Sequence, residues 1–267
     1  MTVRLAIRGI GVLGPGLAGW EAARDVLAGK APWRDEAPAS PDVRELPATE
    51  RRRVNAASRW AIAVAREATA SLGTAATAPI SAVFASADGD GEVLDQTLAA
   101  LASPDPSLSP TLFHNSVFNA PVGYWSIATH STGWTTMICA GEGSAAAALA
   151  ESASQARVTG GAVLCVCMDL GYPARLAGLH PTARSFACAL LLDAATNGGE
   201  AFGSLAIGTS ATVEIGPAAG DPIAKAFDGN AGAMLIPLLA RIARRRSGPV
   251  LLPRLGGGML AVEVVVA

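Results

Sequence analysis

An apolar segment runs directly into two closely spaced glycines and an alanine-rich stretch between residues 133 and 150. Residues 134–138 predict a strand, Gly141 and Gly143 predict a tight turn, and residues 144–157 predict a buried helix. A strand that turns at once into a helix places the turn residue beside free backbone N–H groups and the positive end of the helix dipole, which stabilise negative charge. The stretch therefore predicts an elbow of the kind that holds a nucleophile, with Cys139 or Ala140 at its tip.

Strands and helices alternate through the first two-thirds of the chain, which predicts an α/β sheet covered by helices on both faces. Residues 161–169 form a continuous apolar run, typical of a central strand covered on both faces. Residues 9–16 are rich in glycine and predict a turn. Helices are further predicted at residues 18–27, 55–72, 92–102, 116–128 and 231–246, and strands at 2–10, 80–87, 185–193, 204–215, 249–252 and 259–266.

Charged residues make up only 16% of the 267 residues, and apolar residues 51%. The charged fraction is well below the roughly 25% of ordinary globular domains, so we expect a second subunit to cover part of the surface. The net charge of −2 gives no indication of nucleic-acid binding. Two arginine groups are either solvated helix ends or a docking surface for an acidic partner. They comprise Arg51, Arg52 and Arg53, and Arg241, Arg244, Arg245 and Arg246.

The cysteines Cys139, Cys165, Cys167 and Cys188 lie in apolar, strand-like surroundings and lack the spacing of zinc ligands, so no metal site is expected. The first residues lack the layout of a signal peptide. The apolar runs are well short of the roughly 18 residues that a membrane-spanning helix needs. We therefore expect a cytoplasmic protein with reduced thiols and no transmembrane segment.

Several segments, in their order along the chain, resemble the β-ketoacyl synthase family of the thiolase-like fold. They are residues 7–16, 20 and 26–30, 58–59 and 61–68, 118–127, 133–150 and 160–169. The resemblance implies an α/β protein with a thiolase-like, layered α-β-α-β-α architecture in a single domain over residues 1–267. About residues 1–195 resemble the N-terminal half of a ketosynthase, and residues 196–267 correspond to an abbreviated C-terminal half.

The elbow departs from the pattern of active ketosynthases. In the family, the nucleophilic cysteine follows an alanine and precedes a glycine by three residues. Aligning Gly143 with that glycine puts Ala140 at the nucleophile position and Cys139 one residue before it. The other alignment, with Cys139 as the nucleophile, puts Glu142 where the glycine belongs.

Active members also carry two histidines in the second half, which assist decarboxylation and stabilise the oxyanion. The histidines of this chain are His114, His130 and His180, and none lies in either family motif. Residues 256–258 resemble a remnant of the family's glycine-rich loop without its histidine.

An inactive, shortened ketosynthase-like chain resembles the chain-length-factor-like subunits of aryl polyene and xanthomonadin-type pigment clusters. The resemblance implies no catalytic residue and no cofactor in this chain, a catalytic ketosynthase as direct partner, and an acyl carrier protein as indirect partner. The strand before the elbow is expected to pair with the partner; its residues are Trp134, Thr135, Thr136, Met137 and Ile138. Bulky side chains near it are expected to shape the partner's acyl tunnel, although they also fit ordinary core packing; they are Phe113, Phe118, Tyr124, Trp125 and Trp134.

Two alternatives remain open from the sequence. The chain could be a compact ketosynthase or acyltransferase in which Cys139, activated near a helix N-terminus, is oriented by Glu142 or His130. It could also be a homodimeric scaffold without acyl chemistry.

Overall fold

The computed structural model describes residues 2–75, 79–179, 182–194, 202–208 and 222–266. Within these residues the backbone forms one mixed sheet. Its strands are β1 (Thr2–Gly14), β2 (Leu17–Ala18), β3 (Ser81–Ser86), β4 (Thr135–Cys139), β5 (Ala162–Asp169), β6 (Phe186–Asp193), β7 (Ser204–Gly208), β8 (Gly248–Pro253) and β9 (Met259–Val265).

Two of the helices that shape the site begin at side-chain caps. The Asn55 side chain accepts the backbone N–H of Ser58, and Asp90 accepts those of Glu92 and Val93, which satisfies N–H groups that a helix start leaves unbonded. The helices are α1 (Trp20–Leu27), α2 (Ala48–Arg51), α3 (Ala56–Thr69), α4 (Gly91–Leu101), α5 (Pro110–Asn115), α6 (Ala120–Thr129), α7 (Ser144–Thr159), α8 (Pro222–Ala226) and α9 (Ile236–Ala243).

The strand order is β4-β3-β5-β6-β1-β7-β9-β8. Strand β3 runs parallel to β4 and β5, whereas β6 is antiparallel to both of its neighbours, β5 and β1. Strand β9 is likewise antiparallel to both β7 and β8. The order β8-β9-β7 therefore repeats the order β5-β6-β1, and the part of the second half that the structure describes has no counterparts of β3 and β4.

Strand β1 continues through residues 9–14, where the sequence predicted a turn, and that prediction is wrong. The glycines there serve packing instead. A Cβ on Gly11 would lie 2.1 Å from the carbonyl oxygen of Val64 in α3, and one on Gly9 would lie 1.8 Å from that of Ala68. The absence of side chains thus lets α3 lie directly against the strand.

We expect Gly11→Ala to destabilise the fold, because the added methyl group has no room unless α3 moves away from the sheet. The cost is about 3 kcal/mol or more, the upper end of what overpacking causes. Gly123→Ala in α6 is the matched control, since nothing lies within 4 Å of its Cβ position and the change adds about 1 kcal/mol of helix propensity. Urea unfolding of the three proteins measures both effects, and equal stability of Gly11→Ala and wild type would contradict the close packing.

Apolar side chains pack on both faces of the sheet. One core lies beneath α3 and α6 and includes Phe84 and Trp125. The other lies beneath α1, α7 and α9 and includes Leu149 and Val262. Strand β5 is buried along nearly its whole length, so the prediction of a central strand covered on both faces is confirmed. In β8 and β9, by contrast, buried residues alternate with partly exposed ones, so one face of these strands is partly open.

Candidate functional site at the elbow

The predicted elbow is present, and the backbone at its tip is held by the side chain of Ser144, the first residue of α7. Strand β4 ends at Cys139, a short 3₁₀ turn spans Gly141–Gly143, and α7 begins at Ser144. The backbone N–H of Ala140 donates to the Ser144 hydroxyl at 3.0 Å. That hydroxyl lies 3.0 Å from the carbonyl oxygen of Ser86 and 2.7 Å from that of Gly141. Gly141 adopts a φ of 52°, a left-handed conformation that favours glycine.

Gly143 is held against the hairpin between β8 and β9. A Cβ at this position would lie 2.4 Å from the backbone nitrogen of Leu255 and 3.0 Å from the carbonyl carbon of Arg254, so glycine is required there. This requirement favours the alignment in which Gly143 occupies the family's glycine position. Ala140, three residues earlier, then stands at the nucleophile position, where its buried methyl group carries no chemistry.

Cys139 precedes the tip of the elbow and has an exposed side chain. Partial burial of the sulfur, followed by the negative charges of Asp88 and Asp169, raises the pKa of the Cys139 thiol above its ordinary value. Nucleophilic cysteines need the opposite, a lowered pKa that populates the thiolate at neutral pH. The surroundings of Cys139 therefore disfavour its thiolate form.

His130 and Glu142 are the residues predicted to orient Cys139, and the structure places them differently relative to it. His130 ends α6 in a left-handed conformation, before β4 begins, whereas Cys139 ends β4. At about 3.3 Å per residue, the length of β4 alone separates them by roughly 13 Å. His130 thus lies before the start of β4 and Cys139 at its end, an arrangement that gives no support to a role for His130 in orienting Cys139. Glu142 is exposed in the turn.

Of the other two histidines, only His114 lies among the described residues, and it lies away from the elbow. His114 lies in α5 and packs edge-on against the ring of Tyr124, with 5.9 Å between the ring centroids. His180 lies outside the described residues.

A buried carboxylate that the sequence analysis did not single out lies behind the elbow. Asp169, at the end of β5, accepts hydrogen bonds from the Ser86 hydroxyl (2.8 Å), the Ala87 N–H (2.7 Å) and the Gly232 N–H (3.0 Å). Burial raises the pKa of Asp169 to about 6, although these three hydrogen bonds oppose the shift. The side chain of Asn230 also donates to the Asp169 backbone carbonyl at 2.9 Å. Asp169 thus connects the end of β3 to the second half of the chain. The local sign of this residue in the sequence was a single acidic residue at the end of an apolar strand.

The aromatic residues predicted at the tunnel or interface separate into two groups. Tyr124 and Trp125 are buried inside this chain, where the Tyr124 hydroxyl donates to Asn115 at 3.1 Å and Trp125 packs on Phe84 with 5.9 Å between ring centroids. The structure therefore places both in the core rather than on a surface for a partner. The remaining three are exposed, Phe113 by 67%, Phe118 by 51% and Trp134 by 67%.

Two of the exposed aromatic residues, Phe113 and Phe118, lie in a region with further exposed apolar side chains. Leu94, Leu98 and Leu101 follow one face of α4 and are 45–51% exposed. Helix α4 packs against α5, and Leu94, Val117 and Phe118 line one cavity. We call this surface the apolar face; its members are Leu94, Leu98, Leu101, Phe113, Val117 and Phe118. Contiguous apolar surface of this kind is typical of interaction sites.

Strand β4 forms an end of the sheet in the part of the chain that the structure describes. The N–H of Ala82 in β3 donates to the carbonyl oxygen of Trp134 at 2.8 Å, so Trp134 directs its backbone polar groups towards β3. Because successive strand residues direct these groups to opposite edges, Thr135 and Met137 direct theirs to the outer edge. Thr136 and Ile138, like Trp134, face β3. The outer edge therefore offers a row of backbone donors and acceptors.

The arginine groups lie on separate elements. Arg51, Arg52 and Arg53 are exposed at and after the end of α2. The other group lies at the end of α9, where Arg241 donates to the carbonyl oxygen of Ser247 at 3.2 Å and residues 244–246 are exposed. Both placements agree with solvated helix ends, and both leave cations accessible to an acidic partner.

No helix within the described residues combines the length and the hydropathy that crossing a bilayer requires.

Comparisons with known proteins agree with the elbow and the sheet. A family model described as beta-ketoacyl synthase, N-terminal domain, matches residues 21–214. No curated protein matches the chain. A chain from the complex of the ketosynthase ApeO with its chain length factor ApeC from Xenorhabdus doucetiae is 22% identical, with a TM-score of 0.70, and the match covers 98% of this chain and 99% of that one.

Two further solved structures resemble the chain over almost its full length. One belongs to AntDE:AntF, a type II PKS acyl-carrier protein in complex with its ketosynthase bound to the hexaketide; it is 13% identical, with a TM-score of 0.74 and full coverage of both chains. The other belongs to the ishigamide ketosynthase/chain length factor; it is 13% identical, with a TM-score of 0.72 and coverage of 98% of this chain and 99% of that one. The predicted thiolase-like α/β fold with an abbreviated second half is thereby confirmed.

Proposed function

Because the chain belongs to the β-ketoacyl synthase family, we propose that it is a non-catalytic subunit, similar to a chain length factor, that pairs with an active ketosynthase. In this proposal the partner carries out decarboxylative chain extension in polyketide or polyene biosynthesis in the cytoplasm. This chain contributes one wall of the tunnel that holds the growing acyl chain.

The residue at the tip of the elbow, Ala140, is the main support for the proposal. Ala140 has no nucleophilic atom, and its N–H is bonded to Ser144. Cys139 has a thiol pKa that is raised rather than lowered, and no histidine in the described residues lies at the elbow. A condensing enzyme needs a nucleophile and groups that assist decarboxylation and stabilise an oxyanion. These observations support a chain that keeps the architecture of a ketosynthase and leaves the chemistry to a partner.

The surfaces near the elbow support pairing. The outer edge of β4 faces away from the sheet, and Trp134 beside it is exposed by 67%. The apolar face lies on α4, α5 and the residues just after α5, and α4 follows the carboxyl end of β3 after a short loop. Edge pairing through β4 would leave Phe113 and Phe118 available to line a cavity shared with the partner. Solved relatives of almost the same length come from complexes that contain a ketosynthase.

A carrier protein would meet this subunit indirectly in the same proposal. Residues 51–53 and 244–246 are exposed cations that suit an acidic carrier surface. Docking through them would guide the carrier towards the partner's active site.

Reconstitution with a ketosynthase from the same organism, a malonyl-loaded carrier protein and an acyl starter tests the proposal. We expect no condensation by the chain alone and condensation by the pair. Cys139→Ala should leave the rate of the pair within about twofold, because Cys139 takes no part in the chemistry in this proposal. A tenfold loss would require the barrier to rise by about 1.4 kcal/mol. Condensation by the chain alone that disappears in Cys139→Ala would establish the enzyme alternative instead. A chain that forms only dimers with itself and does not affect the ketosynthase would establish the scaffold.

A further inference from the structure

In the part of the chain that the structure describes, the second half of the sheet has an outer face that no layer of helices covers. In the first half, α3 covers this face at β1, β6 and β5. The strands that repeat their order are β7, β9 and β8, and the helices that pack on these, α7 and α9, lie on the opposite face, in the inner core. Side chains on the outer face are therefore exposed or only partly buried. We call this surface the open face; its members are Arg4, Ser204, Ala206, Leu251, Ala261 and Glu263.

A row of small residues along β7 forms the middle of the open face. Leu205 and Ile207 point into the inner core, so Ser204 and Ala206, which alternate with them, point outward. Gly208 continues the row to the end of the strand. Because no bulky side chain stands along β7, a second surface can approach this strand closely.

Two opposite charges stand on either side of this row. Arg4 in β1 is in register with Ala206 in β7, and Ala206 is in register with Glu263 in β9, so Arg4 and Glu263 lie about 10 Å apart with β7 between them. Both side chains are exposed, and neither has an ion-pair partner among the described residues. Since the two charges have opposite signs and equal distances from β7, the open face is complementary to a second copy of itself.

The edge of the sheet beside the open face is blocked against the addition of a strand. Strand β8 forms this end of the described sheet and contains Pro249 and Pro253. Proline lacks the backbone N–H that an added strand would bind, and it is typical of edges that do not pair further. A partner at this end of the molecule therefore meets the face of the strands rather than their edge.

We propose that the open face binds the open face of a second copy of this chain, about a twofold axis parallel to β7. Such an axis exchanges the two sides of β7, so Arg4 of each copy lies opposite Glu263 of the other copy. Packed sheets lie about 10 Å apart, a distance that an arginine and a glutamate side chain span together. The dimer therefore contains two identical ion pairs that flank the axis, with the small residues of β7 between them.

The open face is small, so we expect the dimer to be weak. Four strands and about five residues of each give a footprint of roughly 300 Å² per copy, at the low end of specific interfaces. The outer edge of β4 lies at the other end of the sheet, so one copy can bind a ketosynthase and a second copy at once. Self-association through the open face does not depend on the proposed function, and together the two contacts would join two pairs through this chain.

Two charge reversals, alone and mixed, test the open-face dimer by sedimentation velocity of the full chain from about 1 µM to about 1 mM. Arg4→Glu and Glu263→Arg each place like charges at both ion pairs, so we expect each variant alone to dimerise at least about tenfold more weakly than wild type. An equal mixture of the two variants restores both ion pairs and should dimerise nearly as tightly as wild type. Arg157→Glu, at an exposed arginine in the last turn of α7, makes the same change of charge elsewhere and should dimerise like wild type.

A wild-type chain that stays monomeric at about 1 mM would overturn the inference. A dimer that both reversals leave as tight as wild type would also overturn it, because that dimer uses another surface, as would a mixture that dimerises no better than its components. Co-purification of Glu263→Arg with the ketosynthase separates this inference from the proposed function. A chain that pairs with the ketosynthase but shows no such charge dependence refutes only the open-face dimer, and one that shows it but never pairs refutes only the proposed function.

Discussion

Thr135→Pro is expected to weaken pairing with a ketosynthase strongly while leaving the fold of the chain intact. The backbone N–H of Thr135 faces the outer edge of β4 rather than β3, so proline removes no hydrogen bond inside the subunit. On the outer edge it removes a donor and adds a ring that a neighbouring strand cannot approach. A cost of about 3 kcal/mol corresponds to a dissociation constant that rises roughly 100-fold.

Thr135→Val is the matched control, because valine keeps the N–H, the β-branching and nearly the same volume. Size-exclusion chromatography and calorimetry of each variant with the ketosynthase measure pairing, and thermal unfolding of the isolated chain checks the fold. If Thr135→Pro pairs as tightly as Thr135→Val, the partner binds elsewhere, and the exposed apolar face on α4 and α5 becomes the surface to test. Loss of the isolated chain's own stability would instead contradict the assignment of the Thr135 N–H to the outer edge.

The sequence predicted the elements whose signals are local. The apolar runs of β3 and β5 and the transition from β4 through two glycines into α7 all have patterns that the predicted elements fit. The elbow could be predicted for the same reason, since strand, turn and helix are contiguous in the chain. The short helix α5 was not predicted, because six residues are too few to show a helical period.

The errors arose where the meaning of a residue depends on what packs against it. Gly9 and Gly11 look the same in a turn as in a strand that a helix approaches closely, and only the position of α3 distinguishes the two. Tyr124 and Trp125 fit an interface as well as a core until α6 is placed against β3. His130 lies nine residues from Cys139 in sequence, but an extended strand keeps the two apart.

Asp169, which the sequence did not single out, also owes its role to residues that are distant in the chain. Its carboxylate joins Ser86, Ala87 and Gly232, and the last of these lies 63 residues further along the chain. Nothing local indicates that such a distant backbone N–H will meet the end of β5. The contact matters because Ser86 also accepts a hydrogen bond from Ser144, so the network reaches the elbow itself.

The buried carboxylate makes stability depend on pH in a direction opposite to that of most carboxylates. The native pKa of about 6 lies above the ordinary 3.8, so between these values the folded chain keeps a proton that the unfolded chain releases. Stability therefore falls as pH rises from about 4 to about 6, by roughly 3 kcal/mol from this group. Asp169→Asn has no ionisable group at this position, so this change of stability with pH should be absent from the variant.

We therefore expect Asp169→Asn to be destabilised at pH 4 and to approach or exceed wild type at pH 7. At pH 4 the amide of asparagine faces the Gly232 N–H, and that unsatisfied donor costs about 1–3 kcal/mol. At pH 7 wild type holds a buried negative charge, whereas the variant does not. This difference offsets the hydrogen bond that the variant loses. Urea unfolding at both pH values measures the change, with Asp105→Asn, at an exposed loop carboxylate, as the control that should show no such dependence. A difference between Asp169→Asn and wild type that stays constant from pH 4 to pH 7 would mean that the pKa of Asp169 is not raised, because its hydrogen bonds to Ser86, Ala87 and Gly232 at least balance its burial.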